Sequence, residues 1–170
     1  MPDLLPARGD SVIYEDIDVG TTLTLGTHRF AAEEIRRFAL AYDPQPFHLD
    51  EEAARAGPFG AICASGWHTA SAMMGLLARH FGRLAEAARA TGRESVPPGP
   101  SPGFDDLRWI RPVYAGDAVT FTGTVVGKRE SASRPAWGLV SIETRGVNQN
   151  GQPVFVLTAH VFVARRPQGG

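Results

Sequence analysis

The segment from Ser65 to Phe81 has the sequence SGWHTASAMMGLLARHF and carries no charge before Arg79. Apolar side chains would occupy every side of a helix formed by this segment, so such a helix must be surrounded by other parts of the fold. The segment therefore predicts one long helix at the centre of the domain. Small residues along it would let a sheet approach closely on one face: Ala70, Ser71, Ala72 and Gly75.

Strand patterns dominate the second half of the chain. Apolar residues alternate with threonines over Ala118–Val126, which is typical of a half-buried strand. Trp137–Val147 and Pro153–Val163 predict two further strands, and Asn150-Gly151 between them is a strong hairpin signal. Strands joined by tight turns, with one buried helix before them, predict an α+β domain whose antiparallel sheet curls around that helix.

The first half of the chain predicts a strand over Thr21–Arg29 and a helix over Ala32–Tyr42, which Pro44 stops. A shorter helix is expected from Leu49 to Ala56. A chain of 170 residues has the size of one domain, so residues 1–170 are taken as a single domain. Two segments are expected to be loose or mobile: a leader at residues 1–12 and a helix-and-loop insertion at residues 82–104.

Charge and composition restrict the possible partners. The formal net charge is −1, and no basic excess or stripe points to a nucleic acid. The opening MPDLLPARGD lacks the apolar core of a signal peptide, and no segment has the length and apolarity of a membrane span. Cys63 is the single cysteine, which fits a reducing compartment. We expect a cytoplasmic protein without nucleic-acid or membrane partners.

The segment AYDPQPFHLDEEAA, residues 41–54, holds two potential acid–base groups, Asp43 and His48. Pro44 and Pro46 stiffen the turn between them, so both groups could face one small site. A carboxylate beside a neutral imidazole can hold and deprotonate a water molecule at neutral pH. On spacing alone the plainer alternative is favoured, in which Asp43 caps a helix or turn and His48 is a hydrogen-bonded loop residue.

A second feature supports the catalytic alternative. Ser65 and Gly66 open the central helix, and the first N–H groups of a helix have no partner within it. Such amides can receive a carbonyl oxygen or an oxyanion, and glycine permits close approach. Ser65 as a helix cap and Gly66 as a packing residue remain compatible with this role.

Taken together, these segments resemble the MaoC-like dehydratases, which include the R-specific enoyl-CoA hydratases of the hot-dog superfamily. The resemblance covers roughly residues 13–166. It is carried by five blocks in family order: YDPQPFH, FGAICASGWHTASAMM, RWIRPVYAGD, SASRPAWG and VNQNGQPVFVLTAHVFVARR. The family motif Asp-x-Asn-Pro-x-His corresponds here to residues 43–48, with Gln45 in place of the asparagine.

The resemblance implies a hot-dog fold, an α+β architecture in which an antiparallel sheet wraps around one long buried central helix. It implies hydration or dehydration of a 2-enoyl thioester, with Asp43 and His48 as the catalytic residues and no cofactor. The amide of Gly66, beside Ser65, would meet the thioester carbonyl, and Trp67 is expected to line the substrate site. The substrate would be an acyl-CoA or acyl-carrier thioester, and the chain would form a homodimer or a dimer of dimers.

Two alternatives stay open. Hot-dog folds also include acyl-CoA thioesterases, although the predicted helix lacks the carboxylate that such enzymes place on it. A non-catalytic acyl-binding subunit is the other, and Gln45 keeps it open. Histidine and cysteine spacings show no metal motif, so no metal site is expected. Four arginines are candidates for contact with carrier phosphates: Arg108, Arg111, Arg165 and Arg166.

Overall fold

Four helices and a short 3-10 turn precede most of the sheet. The computed structural model describes residues 12–90 and 98–167. The 3-10 turn is Tyr14–Asp16. The helices are α1 (Ala32–Tyr42), α2 (Pro46–Leu49), α3 (Glu51–Ala56) and α4 (Gly66–Ala90). The strands are β1 (Thr22–Arg29), β2 (Gly103–Trp109), β3 (Ala118–Glu130), β4 (Trp137–Asn148) and β5 (Pro153–Ala164).

The five strands form one antiparallel sheet in the order β1-β3-β4-β5-β2. Side chains of β3 alternate between buried and part-exposed, as the threonine pattern predicted. Gly151 has a φ of +73° in the β4–β5 connection, which explains the glycine in that hairpin. The predicted α+β architecture is confirmed, and β1 and β2 form the two edges of the sheet.

Helix α4 lies against the sheet and contributes to the main core. Its Ala72 and Met73 pack with Phe30, Phe121 and Phe155. The opposite side is open in the single chain, where Trp67 and Met74 are each 52% exposed. The expectation that the helix is enclosed on every side therefore holds only for the sides that face the sheet and α1.

Other predicted boundaries agree or shift for local reasons. Residues 82–90 continue α4, whereas residues 91–97 and the leader at residues 1–11 lie outside the described part of the chain. Strand β2 begins at Gly103, inside the segment predicted as an insertion. Pro46 begins the one-turn helix α2, because its fixed φ suits a first helical position. Among the described residues, no helix is both long and apolar enough to cross a membrane.

The segment before β1 is held on the sheet by Tyr14. Its ring packs on Gly138 of β4 so closely that a Cβ there would overlap the ring. The ammonium group of Lys128 lies 4.8 Å from the ring centroid and also donates hydrogen bonds to the carbonyl oxygens of Tyr14 (3.2 Å) and Ile17 (2.7 Å). A glycine at position 138 is therefore required by packing.

We expect Gly138→Ala to lower the free energy of unfolding by about 1–3 kcal/mol, because the added methyl group displaces the Tyr14 ring. Denaturant unfolding measures this change. Gly127→Ala on β3 is the matched control, since a Cβ there meets nothing within 4 Å. Equal stabilities of the two variants would contradict the packing role of Gly138.

Candidate active site

The turn between α1 and α2 carries the first two predicted site residues. Asp43 ends α1, where its N–H donates to the carbonyl of Ala39 at 2.9 Å, and Pro44 prevents continuation. The N–H of Gln45 donates to the carbonyl of Asp43 at 2.7 Å, and that of His48 donates to the carbonyl of Gln45 at 3.0 Å. These short-range bonds fix the turn, so the Asp43 carboxylate and the His48 ring face the same side.

Both oxygens of the Asp43 carboxylate accept hydrogen bonds. Ser65 Oγ donates to Oδ2 at 2.7 Å, and Gln45 Nε2 donates to Oδ1 at 2.8 Å. Partial burial by itself raises the pKa of Asp43, but these two hydrogen bonds and the nearby His48 outweigh it and hold the pKa below its usual range. Asp43 is therefore ionised at neutral pH.

The ring of His48 is almost fully buried, with 4% of its surface exposed. Its Nδ1 lies 2.7 Å from the carbonyl oxygen of Cys63. A carbonyl oxygen only accepts, so Nδ1 carries the proton, and in the neutral ring Nε2 keeps its lone pair. That Nε2 lies 3.4 Å from Asp43 Oδ2. An imidazolium formed at His48 would thus be stabilised by the adjacent carboxylate.

Helix α4 begins beside this pair. The carbonyl of Ser65 accepts from the N–H of Thr69 at 3.1 Å, and its Oγ accepts from the N–H of Trp67 at 3.3 Å. Ser65 is therefore both the cap of α4 and the hydrogen-bond donor to Asp43. The N–H of Gly66 has no backbone hydrogen bond among the described residues and, as the first of the helix, none within α4.

These residues line one cavity of about 630 Å³. Apolar side chains form most of its remaining wall, including Phe47, Phe59, Val113 and Val154. Phe47 packs edge-on against the His48 ring at a centroid distance of 4.4 Å. The cavity therefore combines a polar corner with apolar walls, a composition typical of sites that bind small molecules.

The structure brings all five predicted site residues to this cavity: Asp43, His48, Ser65, Gly66 and Trp67. The first four lie together at its polar corner. Trp67 lies at the exposed rim, where its ring meets that of Trp109 at 5.3 Å. Their catalytic and binding roles stay predictions, since the geometry shows proximity alone.

Sequence reasoning missed Trp109 as a site residue. Its indole lies against Gly66, where a Cβ would overlap the ring. Gly66 is therefore a packing glycine as well as a free amide. The presence of a glycine at position 66 does not by itself indicate this contact. Trp109 is 43 positions from Gly66 along the chain, and its strand was not predicted.

A second cluster lies between α1 and α4, outside the active-site cavity. Glu34 approaches His28 Nε2 at 3.1 Å and His68 Nε2 at 3.5 Å, and Phe38 stacks on His68 at 4.7 Å. The ligand atoms of the three residues lie within 4.8 Å of one another, close enough for a metal ion. The sequence spacing did not reveal this convergence.

Two observations count against a metal at this cluster. A histidine ligand normally donates its other N–H to an acceptor, but His68 Nδ1 is buried with no hydrogen-bond partner. Arg37 and Arg79 line the same cavity and would repel a cation. Separately from the question of a metal, burial lowers the pKa of His68, which keeps the ring neutral. We assign the cluster to joining α1 and α4, the two helices that present Asp43 and Gly66.

The four arginines proposed for carrier phosphates lie in different surroundings. Arg165 pairs with Glu15 and Glu130, and Arg166 pairs with Asp16. Arg108 and Arg111 are both exposed; Arg108 lies on β2, and Arg111 lies at the wall of the cavity.

The chain is similar to known proteins in both its domain sequence and its fold. A family model described as the MaoC like domain matches residues 15–144. A MaoC-like dehydratase structure from Rhodospirillum rubrum is 37% identical, covers 93% of this chain and 100% of that chain, and has a TM-score of 0.76. An (R)-hydratase from A. caviae involved in PHA biosynthesis is 26% identical over 89% and 99% of the two chains, with a TM-score of 0.64. These likenesses confirm the predicted hot-dog fold.

Curated relatives match over different lengths. Mesaconyl-CoA hydratase from Cereibacter sphaeroides is 39% identical over 64 residues, which are 38% of this chain and 18% of that enzyme. The chain thus matches less than a fifth of that relative's length. The uncharacterized protein YdeM from Bacillus subtilis is 26% identical over 89% of this chain and 98% of its own.

We expect Ser65→Ala to raise the pKa of Asp43, because the carboxylate loses a donor at 2.7 Å that favours its charged form. Carbon NMR of the Asp43 carboxyl during a pH titration measures the shift. Protonation then begins at a higher pH than in the wild type. Ser71→Ala, exposed on the same helix, is the control, and an unmoved Asp43 titration in Ser65→Ala would contradict the assignment.

Proposed function

The chain belongs to the MaoC-like domain family, and on that premise we propose that it is a hydro-lyase that adds water to, or removes it from, a 2-enoyl thioester. The observation that carries the proposal is the convergence of Asp43, His48 and the free amide of Gly66 on one cavity. No cofactor takes part in this reaction as proposed. The carrier is coenzyme A or an acyl-carrier arm, in keeping with the CoA thioester named for one relative.

In the proposed reaction, the amide of Gly66 donates a hydrogen bond to the thioester carbonyl. As water attacks the β-carbon, negative charge develops on the thioester oxygen. An N–H at the start of a long helix is oriented toward that oxygen before the reaction and needs no rearrangement. Each such donor is often worth about 3–4 kcal/mol of transition-state stabilisation. Trp109, which lies against Gly66, limits how the thioester enters.

Asp43 and His48 bind and activate the water molecule in the proposed reaction. His48 Nε2 has a free lone pair and lies 3.4 Å from Asp43 Oδ2, so one water can contact both atoms. His48 accepts the proton of the attacking water, and Asp43 stabilises the imidazolium that forms. His48 then passes the same proton to the α-carbon. One O–H bond of water is broken, and a C–H bond forms at the α-carbon while the hydroxyl group is bonded to the β-carbon. Dehydration follows the reverse path.

Hydration is favoured over the two alternatives by what the cavity contains. A hot-dog thioesterase uses a carboxylate on the central helix, but the stretch of α4 from Gly66 to Ala78 has no Asp or Glu. A non-catalytic subunit would have no need of a buried His48 aimed at an ionised Asp43. Gln45, the departure from the family motif, hydrogen-bonds the catalytic carboxylate and so preserves its charge.

We expect Asp43→Asn and His48→Ala each to lower the hydration rate of crotonyl-CoA by about 100-fold or more, because each removes one half of the acid–base pair. The assay follows loss of the enoyl absorbance together with free thiol. Loss of absorbance without thiol indicates hydration, thiol release indicates hydrolysis, and neither signal indicates a binding subunit.

The matched control is Asp50→Asn. Asp50 lies two residues beyond His48 and accepts from the N–H of Ala53 at 2.8 Å as the cap of α3, a role that asparagine also fills. It should keep the wild-type rate. Wild-type rates in both Asp43→Asn and His48→Ala would refute the site.

We further propose a homodimer joined through strand β2. This edge strand exposes Phe104 (51%) and Trp109 (46%), and the open face of α4 adds Trp67 and Met74. An edge strand with unpaired backbone groups and exposed aromatic side chains is a liability that a second copy relieves by pairing with it. A buried free thiol at Cys63 fits the cytoplasm, which is the proposed location.

Phe104→Arg is expected to shift the protein from dimer to monomer in light-scattering measurements, because it replaces an exposed aromatic side chain of the edge strand with a charge. Val126→Arg is the control, since Val126 is similarly exposed (48%) but lies on β3. A monomeric wild type, or the same shift in both variants, would be incompatible with pairing through β2.

A further inference from the structure

Arg111 is a cation in the wall of the active-site cavity that the proposed chemistry leaves unused. Among the described residues that line this cavity, it is the single lysine or arginine. Its Nη1 donates to the carbonyl of Pro153 at 2.8 Å. A guanidinium has five N–H donors, so one bond to a carbonyl leaves most of them available to another acceptor.

Backbone hydrogen bonds on both sides fix where Arg111 lies. The N–H of Ile110 donates to the carbonyl of Val154 in β5 at 2.9 Å. The carbonyl of Val113 accepts from the N–H of Ala64 at 2.7 Å, two residues before Gly66. The segment that carries Arg111 is thus joined directly to the start of α4. Its position relative to the Gly66 amide is set by the fold and not by a loose loop.

The charge of Arg111 is not neutralised by any carboxylate in the described part of the chain. Among the described residues, no Asp or Glu forms an ion pair with it. Asp43 lines the same cavity, but Ser65, Gln45 and His48 supply the interactions that lower its pKa. A cation and an anion therefore line one cavity without contact, which leaves room for a substrate between them.

We propose that Arg111 binds a carboxylate on the acyl group, so that the substrates are 2-enoyl thioesters with a second, acidic end. This inference rests on the proposed function and names its substrate class. A carboxylate attached at the β-carbon would lie beside the catalytic pair, where Asp43 alone would repel it. Arg111 offsets that repulsion, and its planar fork matches a carboxylate.

The length of the carrier arm favours the acyl carboxylate over a carrier phosphate as the acceptor. Arg111, Asp43 and Gly66 line one cavity of about 630 Å³. Thirteen bonds separate the sulfur from the phosphorus of a phosphopantetheine arm, about 15 Å at the reach of an extended chain. The carboxylate of a four-carbon diacid is only a few bonds from the thioester carbonyl. A carboxylate on the acyl group therefore stays close to the residues that line the cavity, whereas the phosphate lies about 15 Å from the sulfur.

The test compares two substrates of similar shape, fumaryl-CoA and crotonyl-CoA, which carry a carboxylate and a methyl group at the same carbon. We expect the wild type to favour fumaryl-CoA in kcat/KM, and Arg111→Gln to reduce the ratio of the two values by roughly tenfold. Arg111→Lys should keep part of the preference. Arg129→Gln is the matched control, because Arg129 is exposed on β3 and does not line the cavity. Its ratio should equal that of the wild type.

Equilibrium binding makes the test independent of catalysis. S-(3-carboxypropyl)-CoA and S-butyl-CoA cannot be hydrated, and calorimetry gives their affinities for the wild type and for Arg111→Gln. A preference for the carboxylate that Arg111→Gln abolishes would support the inference even if no thioester were hydrated. Equal affinities in the wild type would overturn it while leaving the proposed function intact. If Arg111→Gln instead weakens S-butyl-CoA but not S-butyl-pantetheine, Arg111 binds the carrier phosphates and the proposal is wrong.

Discussion

The hydrogen bond from Ser65 to Asp43 joins the end of α1 to the start of α4, and the rest of the site depends on it. Ser65 is the cap of α4, so its side-chain position follows from the helix itself. Asp43 ends α1 because Pro44 follows it, so its position follows from that helix. One bond of 2.7 Å therefore sets the Asp43 carboxylate beside the start of the central helix. Either helix could shift only at the cost of this charged hydrogen bond.

Contacts further along the two helices hold the same arrangement. His68 lies one turn beyond Ser65 on α4, and it stacks on Phe38 and approaches Glu34, both on α1. The stack buries apolar surface, and the neutral ring avoids the cost of an enclosed charge. On the other side of α4, Ala64 is bonded to Val113 in the segment before β3. The start of α4 is thus fixed from the helix layer and from the sheet side at once.

The sequence predicted much of this because the deciding signals were local. Threonine alternation, Asn150-Gly151 and the prolines around Gln45 each act within a few residues, and the strands, hairpin and turn follow. Strand β2 was missed because its pattern of burial does not alternate cleanly, and its pairing with β5 is interrupted between Asp105 and Arg108. The open face of α4 was missed because composition shows that a helix is apolar but not what covers it. Trp109 lies on that unpredicted strand and Arg111 directly follows it, so both reach the site through β2. Their spacing from Asp43 and Gly66 along the chain does not indicate that they lie close to these residues.

Gln45 shows how a departure from a family pattern can be compatible with the same electrostatics. The family's asparagine and this glutamine carry the same amide, but the longer side chain reaches back two residues to Asp43 Oδ1 at 2.8 Å. Burial opposes ionisation of that carboxylate, and each donor to it offsets part of the opposition. Donors on both oxygens favour the charged form of the Asp43 carboxylate, and Nδ1 of His48 is occupied by the carbonyl of Cys63. The proposed division of roles, in which the carboxylate supplies charge and orientation and the imidazole moves the proton, rests on these hydrogen bonds.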